Sequence, residues 1–326
     1  MPKVTVLIAV YNAAPYLRAC LDSLLGQTLT DFQAVCIDDC STDDSLAILQ
    51  EYQARDARIE VISLDENRGQ AYARNQGLKR ACGDYVCMLD ADDWFSNDAL
   101  EKAVEVFESH ADTDCVLFDV MIARTSNLHR YSVPSFESIT GEEAFRMSLT
   151  WQIHGLYMVR REIHQKFPYD DSCRLYSDDN TTHLHYLASR CVRLCKGAYY
   201  YRQHKYSSTH SVGVRRFDFL KANESMRNRL LELKVEPELL AIYENKRWLN
   251  YVGIYMFYFV HGKELSQDDR RYGLSELHRV WQTIDRRLLY EWQIRKFGYN
   301  PLSSWWLFRC QEWIFFTVRG WLGWNY

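Results

Sequence analysis

The sequence has no apolar run of the roughly 18 residues that a membrane-crossing helix needs. An export leader is not expected either, since Met1-Pro2-Lys3 runs straight into the apolar stretch ending at Val10. The expectation that follows is a reduced, cytoplasmic setting, in which the ten cysteines act as small core hydrophobes rather than as bridges. Zinc spacing is missing as well, since Cys36/Cys40 and Cys191/Cys195 are not separated as zinc-knuckle ligands are. No large excess of one charge sign exists. The 39 Lys and Arg against 43 Asp and Glu leave a net charge of −4, which gives nucleic acid no electrostatic reason to bind. Internal repeats and low-complexity tracts are absent, which sets aside solenoids and disordered scaffolds.

What is present is an ordinary globular composition, 47% hydrophobic and 25% charged, in a 326-residue chain long enough for one large domain or two. Strand-like runs at Lys3–Val10, Phe32–Ile37, Ile59–Leu64 and Tyr85–Leu89 alternate with helical periodicity through Leu17–Leu25, Asp44–Ala54 and Ala71–Ala81. This α/β alternation predicts a Rossmann-like, mainly parallel sheet with helices on both faces. Further on, the pattern predicts a helix over Ala99–His110, strands at Cys115–Ile122, Gly155–Val159 and Val192–Tyr201, and a helix opened by Tyr176-Ser177-Asp178-Asp179. A helical, aromatic region follows from Phe217.

In such a sheet ligands sit at the C-terminal strand ends, and there the polar clusters fall. Tyr11-Asn12 follows the first strand, Asp38-Asp39 the second, Asn67-Arg68-Gly69 the third, and Asp90, Asp92 and Asp93 the fourth. The last is the sharpest feature. A buried strand ends in three carboxylates within four residues, and strand periodicity places Asp90 and Asp92 on one side with Asp93 turned away. Adjacent carboxylates repel and resist desolvation unless a cation neutralises them. All-oxygen ligands suit Mg²⁺ or Mn²⁺, which also favour phosphate oxygens. The alternative is a solvated acidic turn ahead of a helix capped by Ser96 or Asn97.

These motifs, taken together and in order, resemble those of the family-2 glycosyltransferases, inverting enzymes of GT-A fold that use sugar nucleotides. The segments are Val6-Leu7-Ile8-Ala9-Val10-Tyr11-Asn12, Ile37-Asp38-Asp39-Cys40-Ser41-Thr42-Asp43, Glu66-Asn67-Arg68-Gly69 with Ala73-Arg74-Asn75-Gln76-Gly77, and Leu89-Asp90-Ala91-Asp92-Asp93-Trp94. The resemblance spans residues 3–205. It implies a GT-A domain over 1–214, with a nucleotide half over 1–110 and an acceptor half over 111–214, and a helical C-terminal region over 215–326.

The resemblance also implies roles. Asp39 would accept from the imide of uracil or an equivalent base edge. Ala9, Tyr11 and Asn12 would line the base and ribose, with Arg68 and Arg74 beside the nucleotide. A surface salt bridge is the plainer reading of Arg74. Asp90 and Asp92 stand at the family's D-x-D motif, one on the ribose or metal and the other on the metal that bridges the diphosphate, and Asp93 shares the metal. The base comes from Asp178-Asp179, where Asp179 matches the proton acceptor and Asp178 replaces the commoner Glu. Both acids also suit a helix N-terminus without any chemistry. Cys40 stands where the family usually has Gly.

The implied reaction is metal-dependent, inverting transfer of the hexosyltransferase type. The sugar moves from a nucleoside diphosphate sugar, a UDP-sugar above all, to a saccharide or lipid-linked acceptor in cell-surface polysaccharide or glycolipid assembly. Tyr201–His210 reads as a basic lid, with Arg202 toward phosphate and His210 or His204 toward the metal. Residues 281–326 hold seven of the ten tryptophans with six Arg or Lys against three Asp or Glu. That composition suits peripheral contact with the inner face of a membrane, or else packing and a homodimer contact. The competing readings are a non-catalytic nucleotide-sugar-binding subunit and a sugar nucleotidyltransferase. The latter would want a Gly-rich loop where Tyr11-Asn12-Ala13-Ala14-Pro15 stands.

Overall fold

The computed structural model describes residues 1–124, 127–173, 176, 178–203 and 213–324. The chain forms two compact units. Met1–Arg174 with Thr181–Ser207 make the first, and Leu175–Asn180 with Ser208–Tyr326 make the second.

The first unit opens with four βα steps: β1 (Val4–Val10), α1 (Ala14–Leu25), β2 (Phe32–Asp38), α2 (Ser45–Arg55), β3 (Ile59–Ser63), α3 (Gln70–Leu78) and β4 (Tyr85–Met88). There follow β5 (Trp94–Phe95), α4 (Ala99–Ser109), β6 (Thr113–Arg124), β7 (Asn127–Arg130), β8 (Ile139–Thr140), α5 (Gly141–Ser148), β9 (Tyr157–Arg160) and α6 (Arg161–Lys166). Then come α7 (Asp178–Ala188), whose first turn belongs to the second unit, and β10 (Cys191–Arg202).

Among the described residues one sheet runs β3-β2-β1-β4-β9-β6-β10-β5, with β7 on β6 and β8 on β10. Its first four strands are parallel. Val4–Val10 pair residue for residue with Phe32–Asp38, and Val4–Leu7 with Tyr85–Met88. Such strands are buried on both faces, which explains their unbroken apolar runs. Val6, Ile8 and Val10 pack under α1 and α2, while Leu7, Val35 and Ile37 pack under α3. β1 lies between β2 and β4, and the chain reaches β4 only after β3, so the strand order reverses beside β1, the place where ligands bind in such sheets. Beyond β4 the sheet is mixed, because β9 runs antiparallel to both β4 and β6.

β10 bears most directly on the site. It pairs with β6 through a register shift between Leu194 and Ala198, which carries Ala198–Arg202 beside Asp119–Ala123. Gly197 makes the shift possible: a Cβ there would stand 2.6 Å from the backbone of Ala99. Past the shift, Tyr199 and Tyr200 pair with Phe95 and Trp94 of β5.

The second unit holds the start of α7 with α8 (Asp218–Glu232), α9 (Pro237–His261), α10 (Gln267–Thr283), α11 (Glu291–Ile294) and α12 (Trp305–Trp321). Its core is aromatic, built on Phe217, Trp248, Tyr251, Trp281, Phe308 and Phe316 with Leu277 and Val280. A buried ion pair, Arg247 with Glu244 at 3.0 Å, is completed by the Asp285 N–H donating to Glu244 at 2.7 Å. No helix among the described residues is long and apolar enough to cross a membrane.

Candidate active site

The site grows from the ends of β1, β2 and β4. After β1 the chain turns at Asn12, whose φ of 51° is left-handed. The amides that follow are all engaged. Asn12 N–H donates to Ser41 Oγ at 3.1 Å, Ala13 N–H to Ser45 Oγ at 2.9 Å, and Ala14 N–H to Asp43 Oδ2 at 3.1 Å. In return the Asn12 side-chain oxygen accepts from Thr42 N–H at 2.8 Å. This stitch fixes the β1 turn to the β2–α2 loop, where Cys40 also adopts a positive φ of 61°. Tyr11 is exposed and Ala9 half-buried beside it.

Asp39 is buried, and both of its oxygens accept backbone protons, from Arg68 N–H at 2.9 Å and Gly69 N–H at 2.7 Å. Gly69 has a φ of 92°, a region open to glycine at little cost, and it caps α3. Asn67 adds a side-chain donation to Asp39 O at 3.1 Å. Asp39 therefore builds the β3–α3 turn. Each of its oxygens keeps a second lone pair, so accepting from a base edge is still within its capacity. Its neighbour Asp38 belongs to the same polar strand end, but the sequence assigned it no role. That side chain is buried on the α1 side, Oδ2 accepts from Ser41 N–H at 3.3 Å, and Oδ1 has no partner among the described residues. The Arg68 guanidinium is half-exposed and lies 3.8 Å from the centre of the Tyr72 ring.

Arg74 is not on a helix surface. It is buried on the sheet side of α3 and donates through Nη2 to Oδ1 of Asp90. Its guanidinium also lies over Tyr169, 5.3 Å from the ring centre. Asn75 holds Tyr169 in place, donating to its carbonyl at 2.8 Å and accepting from its N–H at 2.9 Å.

Asp90 and Asp92 are half-buried, while Asp93 is buried. The Asp90 N–H donates to the Tyr199 hydroxyl at 3.1 Å, and that hydroxyl donates to Asp93 Oδ2 at 2.8 Å. Asp93 Oδ1 accepts from Arg202 N–H at 2.7 Å, and Arg202 Nε donates to the Asp92 carbonyl at 2.8 Å. Burial, with Asp90 and Asp92 alongside, pushes the Asp93 carboxyl up to about 9. The residue expected to share a metal with Asp92 is thus also the inward anchor of the acidic loop, with both oxygens accepting from the protein. Arg202, expected toward phosphate, has its guanidinium 4.5 Å from the Trp94 ring centre and 5.2 Å from that of Tyr16. Tyr199 was legible only as one of three consecutive tyrosines in a strand, and nothing in the sequence separated it from Tyr200 and Tyr201.

Among the described residues no three His, Cys, Asp or Glu side chains are grouped to hold a metal. Mg²⁺ and Mn²⁺ do not require such a cage, since one or two carboxylates suffice when phosphate oxygens and water complete the shell. The half-exposed Asp92 and Asp90 meet that lighter requirement. His204, His210 and most of the expected lid lie outside the described residues.

In the second unit, Asp178 and Asp179 open α7, where the positive end of the helix favours acids. The adjacent Asn180 donates to the Ala222 carbonyl at 2.8 Å. Burial and the neighbouring Asp178 raise the Asp179 carboxyl well above the usual carboxylate range, and Lys246 of α9 opposes that rise. Burial in turn lowers Lys246. Lys246 carried no sequence signal, because it sits 67 positions from Asp179 in an otherwise aromatic helix.

Comparison with known proteins finds glycosyltransferases. TuaG of Bacillus subtilis (strain 168), named a teichuronic acid biosynthesis glycosyltransferase, is 36% identical over 149 residues, 45% of this chain and 59% of its own length. EpsJ of the same strain, named an uncharacterized glycosyltransferase, is 30% identical over 227 residues, 64% of this chain and 63% of its own. The chain thus spans about three fifths of the length of these curated relatives. The fold matches that of S. aureus TarS residues 1–349 in complex with UDP-GlcNAc, with a TM-score of 0.76 at 20% identity over 98% of this chain and 92% of that one. The family model described as Glycosyl transferase family 2 matches residues 5–167, half of the sequence. With that match over the sheet that carries Asp39, Arg74, Asp90 and Asp92, the chain belongs to glycosyl transferase family 2.

Proposed function

We propose that this chain is an inverting glycosyltransferase that moves a sugar from a UDP-sugar to an acceptor hydroxyl during assembly of a bacterial cell-surface polysaccharide. The reading rests on one observation above all. Asp39, Arg74, Asp90 and Asp92 gather at the carboxyl edge of a parallel sheet, where Asp39 after β2 fixes the β3–α3 turn and the buried Arg74 of α3 pairs with Asp90 after β4. A UDP-GlcNAc-bound protein of the same fold and a relative named for teichuronic acid biosynthesis support the choice of donor and setting.

In this reading Ala9, Tyr11 and Asn12 line the base and ribose, and the Asp38–Asp39 pair reads the base edge. Arg68 and Arg74 lie beside the diphosphate. Asp92 and Asp90 would hold Mg²⁺ or Mn²⁺, which would supply positive charge to offset that on the leaving diphosphate. Asp179 is the base. It takes the proton of the acceptor hydroxyl as that oxygen forms its bond to the anomeric carbon and the bond from that carbon to the diphosphate breaks. A raised pKa suits the task, because a stronger base accepts the proton further along the reaction. Burial, with repulsion from Asp178, keeps Asp179 high.

The engaged amides of Asn12, Ala13 and Ala14 speak against a nucleotidyltransferase. A loop that cradles phosphate needs its N–H groups free, and here Ser41, Ser45 and Asp43 take them.

A thermal-shift screen of nucleoside diphosphate sugars, with and without Mn²⁺, tests donor and cation together. Stabilisation by one UDP-sugar, followed by its hydrolysis or transfer, supports the proposal. A chain that binds a donor yet neither hydrolyses nor transfers it with any acceptor is a binding subunit instead.

A further inference from the structure

α12 is apolar on both faces. Phe308, Gln311, Glu312 and Phe316 are buried, and the two phenylalanines belong to the core around Trp248, Tyr251 and Leu277. At about 100° per residue, the opposite half is Trp306, Leu307, Trp313, Ile314, Val318 and Trp321. Trp306 is 69% exposed, Trp313 62% and Trp321 82%. Single exposed tryptophans are unremarked features of any surface, but three on one helical face with aliphatic side chains between them form a patch that water disfavours. Trp305, on the other side of the helix, packs 5.5 Å from Trp281, so the core already has its tryptophans.

The sequence around this face is mostly basic. Residues 281–326 carry six Arg or Lys against Asp285, Glu291 and Glu312, and Asp285 pairs with Arg287 at 2.8 Å. Glu312 is buried, and burial pushes its carboxyl up to about 8, so it is mostly uncharged at neutral pH. Glu291 pairs with Arg295 at 2.9 Å. Arg309 is exposed at the edge of the tryptophan face, and Lys296 lies in the segment whose Phe297 packs against Phe315 of α12. A second copy of the chain is a poor occupant. A two-fold contact sets the same patch against itself, and this patch would meet its own excess of cations. A bilayer rich in anionic lipid supplies both needs, phosphates for the basic rim and an acyl boundary for the indoles.

We infer that the Trp306/Trp313/Trp321 face of α12 docks flat on an anionic membrane surface, with Lys296 and Arg309 meeting lipid phosphates. The contact is peripheral, since no helix among the described residues can span a bilayer. It is independent of the transfer reaction, and its test reads binding alone.

The full chain is floated through a density gradient with vesicles of phosphatidylcholine and phosphatidylglycerol in equal parts, and with phosphatidylcholine vesicles alone. The chain should float with the anionic vesicles and its tryptophan emission should shift to the blue. Trp306→Gln, Trp313→Gln and Trp321→Gln combined should cut vesicle binding about tenfold or more, with unchanged circular dichroism and melting midpoint. Lys296→Gln with Arg309→Gln should weaken binding to the anionic vesicles only. The inference is overturned if the native chain stays at the bottom with both vesicles, or if the triple variant floats as well as the native chain. It is equally overturned if sedimentation finds a dimer that the triple variant loses while vesicles bind neither.

Discussion

The Tyr199 hydroxyl donates to Oδ2 of Asp93 at 2.8 Å while accepting from the Asp90 N–H at 3.1 Å. One phenol thus holds both ends of the four-residue acidic loop, and it comes from β10, more than a hundred residues away. Asp90 and Asp92 owe their placement to this buried clasp and to Arg202, which ties down the loop's inner carboxylate and the Asp92 carbonyl.

Tyr199→Phe removes one oxygen and leaves a buried carboxyl and a buried amide short of a partner. Unfolding in urea should show a loss of about 1–3 kcal/mol. The donor KM should rise more than kcat falls, because the loop that holds the donor loosens while Asp179 is untouched. A variant with native stability and native KM would remove Tyr199 from this role.

Arg74 and Asp90 should be energetically coupled. Arg74→Met and Asp90→Asn each break an ion pair whose guanidinium is buried. Their double variant should be more stable than the sum of the two losses implies, with a coupling of about 1–3 kcal/mol. Urea denaturation of the four proteins measures it. Strict additivity would mean that the contact contributes nothing.

Asp179→Asn should lower transfer by about 10²- to 10⁴-fold, the usual worth of a general base, with donor affinity by calorimetry nearly intact. The pH profile carries a sign. A base acts when deprotonated, and Asp179 is raised by burial and Asp178, so kcat/KM should fall as pH drops at values above the ordinary carboxylate range. Lys246 pulls Asp179 down, so Lys246→Met should move that acid limb to still higher pH. A limb at ordinary carboxylate pH, unmoved in Lys246→Met, would dismiss the assignment.

Asp92→Ala should abolish the Mn²⁺ dependence of donor binding. Calorimetry of a UDP-sugar after chelation, and again after adding Mn²⁺, should show a large gain for the native chain and little for the variant. If the cation strengthens binding equally in both, it is held elsewhere.

Some of the site was legible because its residues are neighbours in the chain. The Asp90-Ala91-Asp92-Asp93 run and the Asn67-Arg68-Gly69 turn are short segments whose chemistry depends on spacing alone. Thr140-Gly141-Glu142-Glu143 was equally legible as a helix start and was passed over; Thr140 and Glu143 form the capping box of α5. Other parts had no local signature. Asp39 looked like a ligand group and proved to be, in addition, the acceptor for two backbone amides, while the unpartnered oxygen fell to Asp38.

The sequence by itself determined the alternation of strands and helices, the parallel start of the sheet, and the acids at its carboxyl edge. Apolar periodicity and turn chemistry act over a dozen residues or fewer. Only the tertiary structure decided which acids are buried, which carboxyl is raised and which tryptophans stay wet. Desolvation and pairing depend on partners such as Tyr199, Arg202 and Lys246, which the register of β10 and the packing of α9 bring in from far along the chain.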